Sequence, residues 1–362
     1  MKIALVSGGS GGHLIPALAL AESLQKNGMP CQMISTARPM DRQIAQMADL
    51  PWETVPLEKI TPLYRWLQPS YARRQWSAWR RLNELLDAKK PDLIVGFGGY
   101  LSALAAWAAN RRGIKVILHE QNLIPGQGNR WSARFSDAVA VSFPETRRYF
   151  SSSARVCVTG NPLRHDPASV SFEVARSFFG FDSHRPVLLA MGGSQGARRL
   201  NEALLGIWEI VPADLRSQWQ VIHLTGPADS AAAQAAYSRL RMQAKVYPFL
   251  EQMPFALKAA TLAVSRAGAT GLAEMAAFRL PSILIPYPHA GGHQRANAVW
   301  MESAGGAIVL EETQLTSDAL AVLFRTVTSD PSRLVQMRES LAKIKLGAAG
   351  ENWLPLIREI VA

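Results

Sequence analysis

The sequence predicts an α/β protein built from two doubly wound parallel sheets, and three observations carry that prediction. Short apolar runs alternate with helical-period segments along most of the chain. A strand-to-helix glycine turn occurs twice, once at the N-terminus and once just past the middle. The length, 362 residues, is enough for two domains at roughly 100–200 residues each.

Taken in order, Ile3 to Val6 is a first strand, too short before its glycines for the apolar region of a signal peptide. Ala17 to Asn27 follows with helical period, and a second apolar run passes through Ile34, Ser35 and Thr36. Leu93 to Val95 and Val116 to Leu118 are apolar without alternation, the pattern of strands buried on both faces. The longest uncharged stretch, Leu93 to Asn110, falls short of the roughly 20 apolar residues of a spanning helix and contains Gly96, Gly98 and Gly99. It reads as strand, glycine turn and buried helix. Beyond the middle come strands Val187 to Ala190, Val221 to Leu224, Leu262 to Val264 and Ser282 to Ile285, with helices Ala197 to Ile210 and Ala296 to Ala304. The run Ile3 to Gly12 is echoed by Val187 to Gly196, each an apolar strand, then Gly-Gly-Ser and further glycine, then a helix. Gly160-Asn161-Pro162 is the best turn signal between the copies and places a hinge near residues 160–165. A last helix, Trp353 to Val361, could pack on either half.

Composition bounds the function. With 48% hydrophobic and 19% charged residues the chain is globular, and 39 Lys+Arg against 28 Asp+Glu leave +11. Such a charge points to an anionic partner: nucleic acid, an anionic membrane or a phosphorylated substrate. Two distant cysteines, Cys31 and Cys157, exclude a disulfide scaffold or a cysteine zinc knuckle and fit a reduced, cytosolic setting.

The glycine turns suit phosphate. A helix N-terminus offers unpaired N–H groups and a partial positive charge, and glycine lets a ligand approach the backbone. The dinucleotide fingerprint fails because Leu14 stands where its last glycine belongs, and no G-x-x-x-x-G-K-[ST] occurs. Both turns match G-x-S-x-G, the serine-hydrolase elbow, which keeps a hydrolase using Ser10 or Ser194 as an alternative. His13, at a helix start among glycines, is a candidate general base. His119-Glu120-Gln121-Asn122 follows a strand, where open α/β sheets bind ligands, and Gly98-Gly99-Tyr100 is either a packing turn or a second ligand turn. In the second half, Arg266-Ala267-Gly268-Ala269-Thr270-Gly271 leads to Glu274, a carboxylate placed to accept from a ribose diol. His289 and His293 have helical spacing for a metal, but Gly291 and Gly292 break that helix, and no metal site is expected.

In order and spacing, Gly8-Gly9-Ser10-Gly11-Gly12-His13, Gly98-Gly99-Tyr100, His119 to Asn122, Gly160 to Arg164, Gly192 to Ala197, Arg266 to Ala269 with Glu274, and Gln294 with Asn297 resemble the MurG family. The resemblance runs from residue 1 to about residue 345. It implies a GT-B fold of family 28, two Rossmann-like domains facing across a cleft, 1–163 on the acceptor and membrane side and 164–345 for the donor. The helix at about 346–362 would pack back on the first. The implied reaction moves GlcNAc from UDP-GlcNAc to the C4 hydroxyl of MurNAc in lipid I, inverting the anomeric centre to give lipid II in peptidoglycan synthesis, with no cofactor. Another GT-B glycolipid glycosyltransferase is the alternative within the class.

By matching positions, the resemblance implies that Glu274 holds the ribose, Leu250 lies against the uracil, and Ser194 with Ala269, Thr270, Gly271, Leu272 and Ala273 contacts the diphosphate and nearby groups. Gln294 would bind GlcNAc hydroxyls, while Ser10, Gly11, Gly12, Asn122 and Arg164 complete the donor and acceptor contacts, Arg164 with the helix poles neutralising the leaving UDP. His13 is the base candidate. The chain departs from the family at Lys59 to Arg81, where Tyr64, Arg65, Trp66, Tyr71, Arg73, Arg74, Trp76, Trp79, Arg80 and Arg81 interleave basic and aromatic residues. That composition suits an anionic bilayer surface, or else a solvated helix whose tryptophans pack inward. No nucleic-acid motif accompanies it. A peripheral protein on the cytoplasmic face of the bacterial inner membrane, in reach of other cell-wall synthesis and division proteins, is the expectation.

Overall fold

The computed structural model describes residues 1–9, 11–45, 49–58, 68–193, 196–348 and 352–362. They form two compact units, Met1–Arg164 with Gly347–Ala362, and His165–Leu346. In the first unit the strands are β1 (Ile3–Val6), β2 (Cys31–Thr36), β3 (Trp52–Val55), β4 (Leu93–Gly96), β5 (Lys115–Glu120), β6 (Ala138–Val141) and β7 (Val156–Val158). A two-residue β8 (Asn161–Pro162) leads out of it. The helices are α1 (Gly11–Lys26), α2 (Pro39–Ala45), α3 (Pro69–Lys89), α4 (Gly99–Asn110) and α5 (Gln127–Ser132).

The second unit carries α6 (Phe172–Phe179), β9 (Val187–Met191), α7 (Arg198–Ile210), α8 (Ala213–Gln218), β10 (Gln220–Leu224), α9 (Ser230–Arg239) and β11 (Ala244–Tyr247). It continues through α10 (Met253–Ala259), β12 (Leu262–Ser265), α11 (Ala269–Ala277), β13 (Ser282–Leu284), α12 (His293–Ser303), β14 (Ala307–Val309), α13 (Ser317–Thr328) and α14 (Pro331–Ala342). The chain then returns to the first unit, where β15 (Gly347–Ala348) pairs with β8 in parallel and α15 (Trp353–Val361) follows.

Both sheets are parallel throughout, in the orders β3-β2-β1-β4-β5-β6-β7 and β11-β10-β9-β12-β13-β14. Each chain segment starts in the middle, winds outward one way and then returns to wind the other. The reversals fall between β1 and β4 and between β9 and β12, where ligands bind at the strand C-termini of such sheets. The central strands β1 and β9 are buried along their whole lengths, which explains why they read as unbroken apolar runs. On one face of the first sheet Leu14, Leu18 and Leu24 of α1 pack with Trp353, Leu356, Ile357 and Ile360 of α15. Ala78, Leu82, Leu85 and Leu86 of α3 cover the opposite face together with α4. Fully burying side chains of this size stabilises by roughly 1.5–3 kcal/mol each, so α15 is an integral part of the first unit.

Candidate functional site

In the first unit, Ser7, Gly8 and Gly9 leave β1 and Gly11 opens α1; Ser10 lies outside the described residues. Gly8 has no room for a side chain, since a Cβ would come within 2.9 Å of Thr36 Cγ2. Gly9 sits at φ +89°, and Arg38 Nη1 donates to its carbonyl at 3.2 Å. Gly12 is exposed, while Gly11 and His13 are half-buried in the first turn of α1. The turn after β4 meets them: at Gly98 (φ +94°) a Cβ would lie 3.2 Å from His13 Nε2, and at Gly99 (φ +78°) one would lie 3.7 Å from His13 Nδ1. Gly98-Gly99 is therefore a close-packed turn, the first of its two readings, and it packs against the candidate base.

His119 to Asn122 differs from the sequence expectation. Strand β5 runs on to Glu120, so His119, Glu120 and Gln121 are buried and Asn122 alone of the four is half-exposed. His119 lies edge-on to Phe97 (5.4 Å) and Trp353 (5.1 Å), with Gln121 Nε2 3.0 Å from its Nδ1. Burial pushes its pKa down to about 3, the nearby His13 adds to that, and a hydrogen bond with the Gly160 backbone opposes it. The Glu120 carboxylate organises the following loop, accepting from the backbone N–H of Asn122 and of Gly126 (both 3.0 Å) and from Asn129 Nδ2 (2.9 Å). Asn122 is thus the one member of the four that reaches the surface, and the other three are buried beneath it. Arg164 donates from Nε and Nη2 to Glu22 Oε1 on α1 at 3.0 and 2.9 Å, tying the end of the first unit to the helix that carries His13.

In the second unit the turn after β9 mixes two kinds of glycine. Gly192 and Gly196 are packed against Ala197 and the Thr225 carbonyl, whereas Gly193 (φ +96°) has nothing within 4 Å of its Cβ position. Ser194 and Gln195 lie outside the described residues. Beneath this turn, Asn201 Nδ2 donates to the Thr225 carbonyl (2.9 Å) and its Oδ1 meets His223 Nε2 (3.1 Å). After β12, Gly268 and Gly271 are likewise open. The run from Ala269 to Glu274 splits by helical period: Ala269, Leu272 and Ala273 point their side chains into the core, and Thr270, Gly271 and Glu274 lie on the half-buried side. The first three can therefore meet a ligand only through the backbone. Gln294 Oε1 accepts from the N–H of Ala267 (3.2 Å) and of Tyr287 (2.9 Å), pinning the turns after β12 and β13 together. Leu250 is 4% exposed, between β11 and α10.

The candidate residues so divide into Gly11, Gly12, His13, Asn122 and Arg164 on the first unit and Leu250, 269–274 and Gln294 on the second. Among the described residues there is no group of three or more His, Cys, Asp or Glu able to hold a metal. The model of the glycosyltransferase family 28 N-terminal domain matches residues 3–141, and that of the family 28 C-terminal domain matches residues 187–349. The chain belongs to glycosyltransferase family 28.

Curated relatives in the family span the whole chain. A UDP-N-acetylglucosamine--N-acetylmuramyl-(pentapeptide) pyrophosphoryl-undecaprenol N-acetylglucosamine transferase of Halothermothrix orenii is 34% identical over 371 residues, covering 99% of each chain. The protein of that name from Listeria monocytogenes is 34% identical over 348 residues, covering 94% of each. The crystal structure of Acinetobacter baumannii MurG aligns at a TM-score of 0.77 with 26% identity, covering 99% of both chains. The two Rossmann-like sheets are those of the expected GT-B class, and the family 28 assignment displaces the hydrolase reading of the two G-x-S-x-G matches.

Family motifs leave several supporting groups unmarked. Arg38 is found only because β2 lies beside β1 and delivers it to the first glycine turn. Asn201, Thr225 and His223 are ordinary residues in sequence, and their role beneath the second turn comes from the β9–β10 pairing. The Lys59 to Arg81 segment is also sharpened: residues 59–67, with Tyr64, Arg65 and Trp66, lie outside the described residues, and the rest falls on α3. Tyr71 is buried, while Arg74, Arg80 and Arg81 pair with Glu58, Glu84 and Glu53 at 2.6, 2.9 and 3.1 Å. Trp79 stacks on Trp107 of α4 (4.9 Å), Arg111 lies over Trp107 (5.4 Å), and Trp76 stands out at 67% exposure. The inward packing expected of a solvated helix therefore holds for Trp79 and not for Trp76, which faces solvent. No described helix is long and apolar enough to cross a membrane.

Proposed function

We propose that this family 28 protein transfers GlcNAc from UDP-GlcNAc to the C4 hydroxyl of MurNAc in lipid I, inverting the anomeric centre and releasing lipid II and UDP. The observation that carries the reading is likeness across the whole chain to relatives bearing that transferase name. Glycine turns at both topological reversals support it. In this reading the second unit takes the donor. Glu274 accepts from the ribose hydroxyls, Leu250 lines the uracil, and Gln294, whose Oε1 is engaged by Ala267 and Tyr287, offers its amide N–H groups to the sugar. The starts of α7 and α11, with Ser194, Thr270 and Gly271, meet the diphosphate.

The first unit takes the acceptor. Asn122, Ser10, Gly11 and Gly12 orient it, and His13 removes the C4 hydroxyl proton as that oxygen bonds to the anomeric carbon and the UDP oxygen departs. Negative charge developing on UDP is met by oriented N–H groups, with Arg164 held in place by Glu22. Because lipid I is anchored in a bilayer, the protein works peripherally on the cytoplasmic face of the inner membrane. Exposed Trp76 on α3 and the exposed Arg111 guanidinium over Trp107 form the contact. The deciding experiment measures UDP release from UDP-GlcNAc with and without a short-chain lipid I analogue. Release that depends on the analogue, with a disaccharide product, is expected; no acceptor-dependent turnover would sink the proposal.

A further inference from the structure

A carboxylate that belongs to no glycine motif lies under the donor-side turns. Glu312 follows β14 on a short 3-10 turn and is buried, its side chain only 7% exposed. Its Oε2 accepts from Nη1 of Arg266, which is 10% exposed, and its Oε1 lies 3.7 Å from Nη1 of Arg199 in the first turn of α7. Arg266 Nη1 also donates to the Ile285 carbonyl (3.2 Å), and its guanidinium sits over the Tyr287 ring (5.5 Å). Through these contacts one side chain reaches the turn after β12, the turn after β13 and the helix that follows the Gly192–Gly196 turn. Gln294 crosslinks the first two again through the N–H groups of Ala267 and Tyr287.

We propose that Glu312 is the positioning residue of the donor site. It holds Arg266 as a strut between the turns instead of leaving it as a ligand for the diphosphate. A buried guanidinium that loses its carboxylate must find another anion or rearrange, and in a nucleotide-binding unit the nearest anion is the donor. With Glu312 present the pair is neutral, and the diphosphate is left to the backbone N–H groups at the starts of α7 and α11. This inference rests on the second unit being the UDP-GlcNAc unit.

The test is Glu312→Gln in the full chain, with Glu312→Asp and the exposed Arg199→Ala beside it. For Glu312→Gln we expect the KM for UDP-GlcNAc to rise about tenfold or more with kcat within about threefold and the acceptor KM unchanged. Amide hydrogen exchange in residues 266–272 and 285–294 should quicken about tenfold while β9 stays protected. Glu312→Asp should recover part of both effects, and Arg199→Ala should quicken exchange only around 197–201. Unchanged exchange in the two turns overturns the proposal, as does equal loss of kcat and of protection across the whole unit. If Glu312→Gln does not fold, Glu312→Asp decides: wild-type KM and wild-type protection overturn it. Calorimetry on the unaltered chain separates the two claims. Failure to take up UDP-GlcNAc refutes the reading of the site, whereas the exchange data judge the clamp in either case.

Discussion

Replacing His119 by Gln tests whether this imidazole is held neutral. In the folded protein its pKa is pushed down to about 3 by burial, with His13 adding to the effect, while in the unfolded chain it titrates near the ordinary value of about 6.5. A folded-state pKa below the unfolded one means that the stabilising condition exists above pH ~6.5 and is lost as pH falls toward ~3. At about pH 5 the unfolded histidine is protonated and the folded one is not, so the gap of about 1.5 pH units at about 1.36 kcal/mol per unit costs about 2 kcal/mol. Urea unfolding of both proteins at about pH 7 and about pH 5 gives a double difference in which every other titrating group, including His223 (pushed to about 4 by burial), cancels. The wild type should lose about 2 kcal/mol more than His119→Gln across that interval. Equal losses would refute the reasoning, and His119 would then be available as a second acid or base beside His13.

Four further outcomes follow from the two units. His13→Ala should lower turnover by about 10²–10⁴-fold with unchanged donor affinity, and a near-wild-type rate would remove it as the base. Gly98→Ala forces a side chain into φ +94° and against His13 Nε2; a strain of about 1–3 kcal/mol and a fall in kcat without a change in donor binding are expected, and a wild-type kcat would show that the turn does not hold His13. If Glu274 is the ribose acceptor as proposed, Glu274→Ala should weaken the Kd for UDP-GlcNAc about 10- to 100-fold by calorimetry; unchanged affinity would end that assignment. Salt should separate the two anionic contacts. Between about 0.05 and 0.5 M the donor Kd should move by less than about threefold, while binding to phosphatidylglycerol vesicles should fall steeply, and the reverse order would contradict the placement of charge argued below.

The fold was legible because its strands are buried on both faces, so β1, β4 and β9 carry unbroken apolar runs that end at glycines. The glycines also marked the turns after β1 and β9, which the strand orders place at the two reversals of winding. Side-chain placement was legible where the glycines themselves decide it, as with His13 at the start of α1. It was not where the next turn of chain decides burial. His119 and Glu120 read as polar groups beyond a strand, yet β5 continues through them and a C-terminal helix covers His119 with Trp353. Within the run Ala269 to Glu274 the sequence did not separate the side chains either, and the helical period turns those of Leu272 and Ala273 inward. Glu312 could not be found from spacing, because its partners Arg199 and Arg266 come from distant elements that only the folded sheet assembles.

These placements bear on how the +11 charge would be used in the proposed function. Around the glycine turns Arg164 is paired with Glu22 and Arg266 with Glu312, Arg38 donates to the Gly9 carbonyl, and His119 is kept neutral by burial. Leaving them as unpaired charges would strengthen ground-state binding of both diphosphates, and binding substrate and transition state equally well does not raise kcat. Fixed N–H groups at helix starts provide a more selective field, because they are oriented once by the fold and gain most where charge grows on the departing UDP. In the proposed function the remaining lysines and arginines act from the outer surface, where they would draw the protein toward an anionic bilayer without gripping the product. The proposed catalysis and membrane attachment then draw on positive charge carried by different elements of the Rossmann-like scaffold, paired or neutral beside the glycine turns and exposed on the outer surface even where, as at Arg74, Arg80 and Arg81, it also meets a carboxylate.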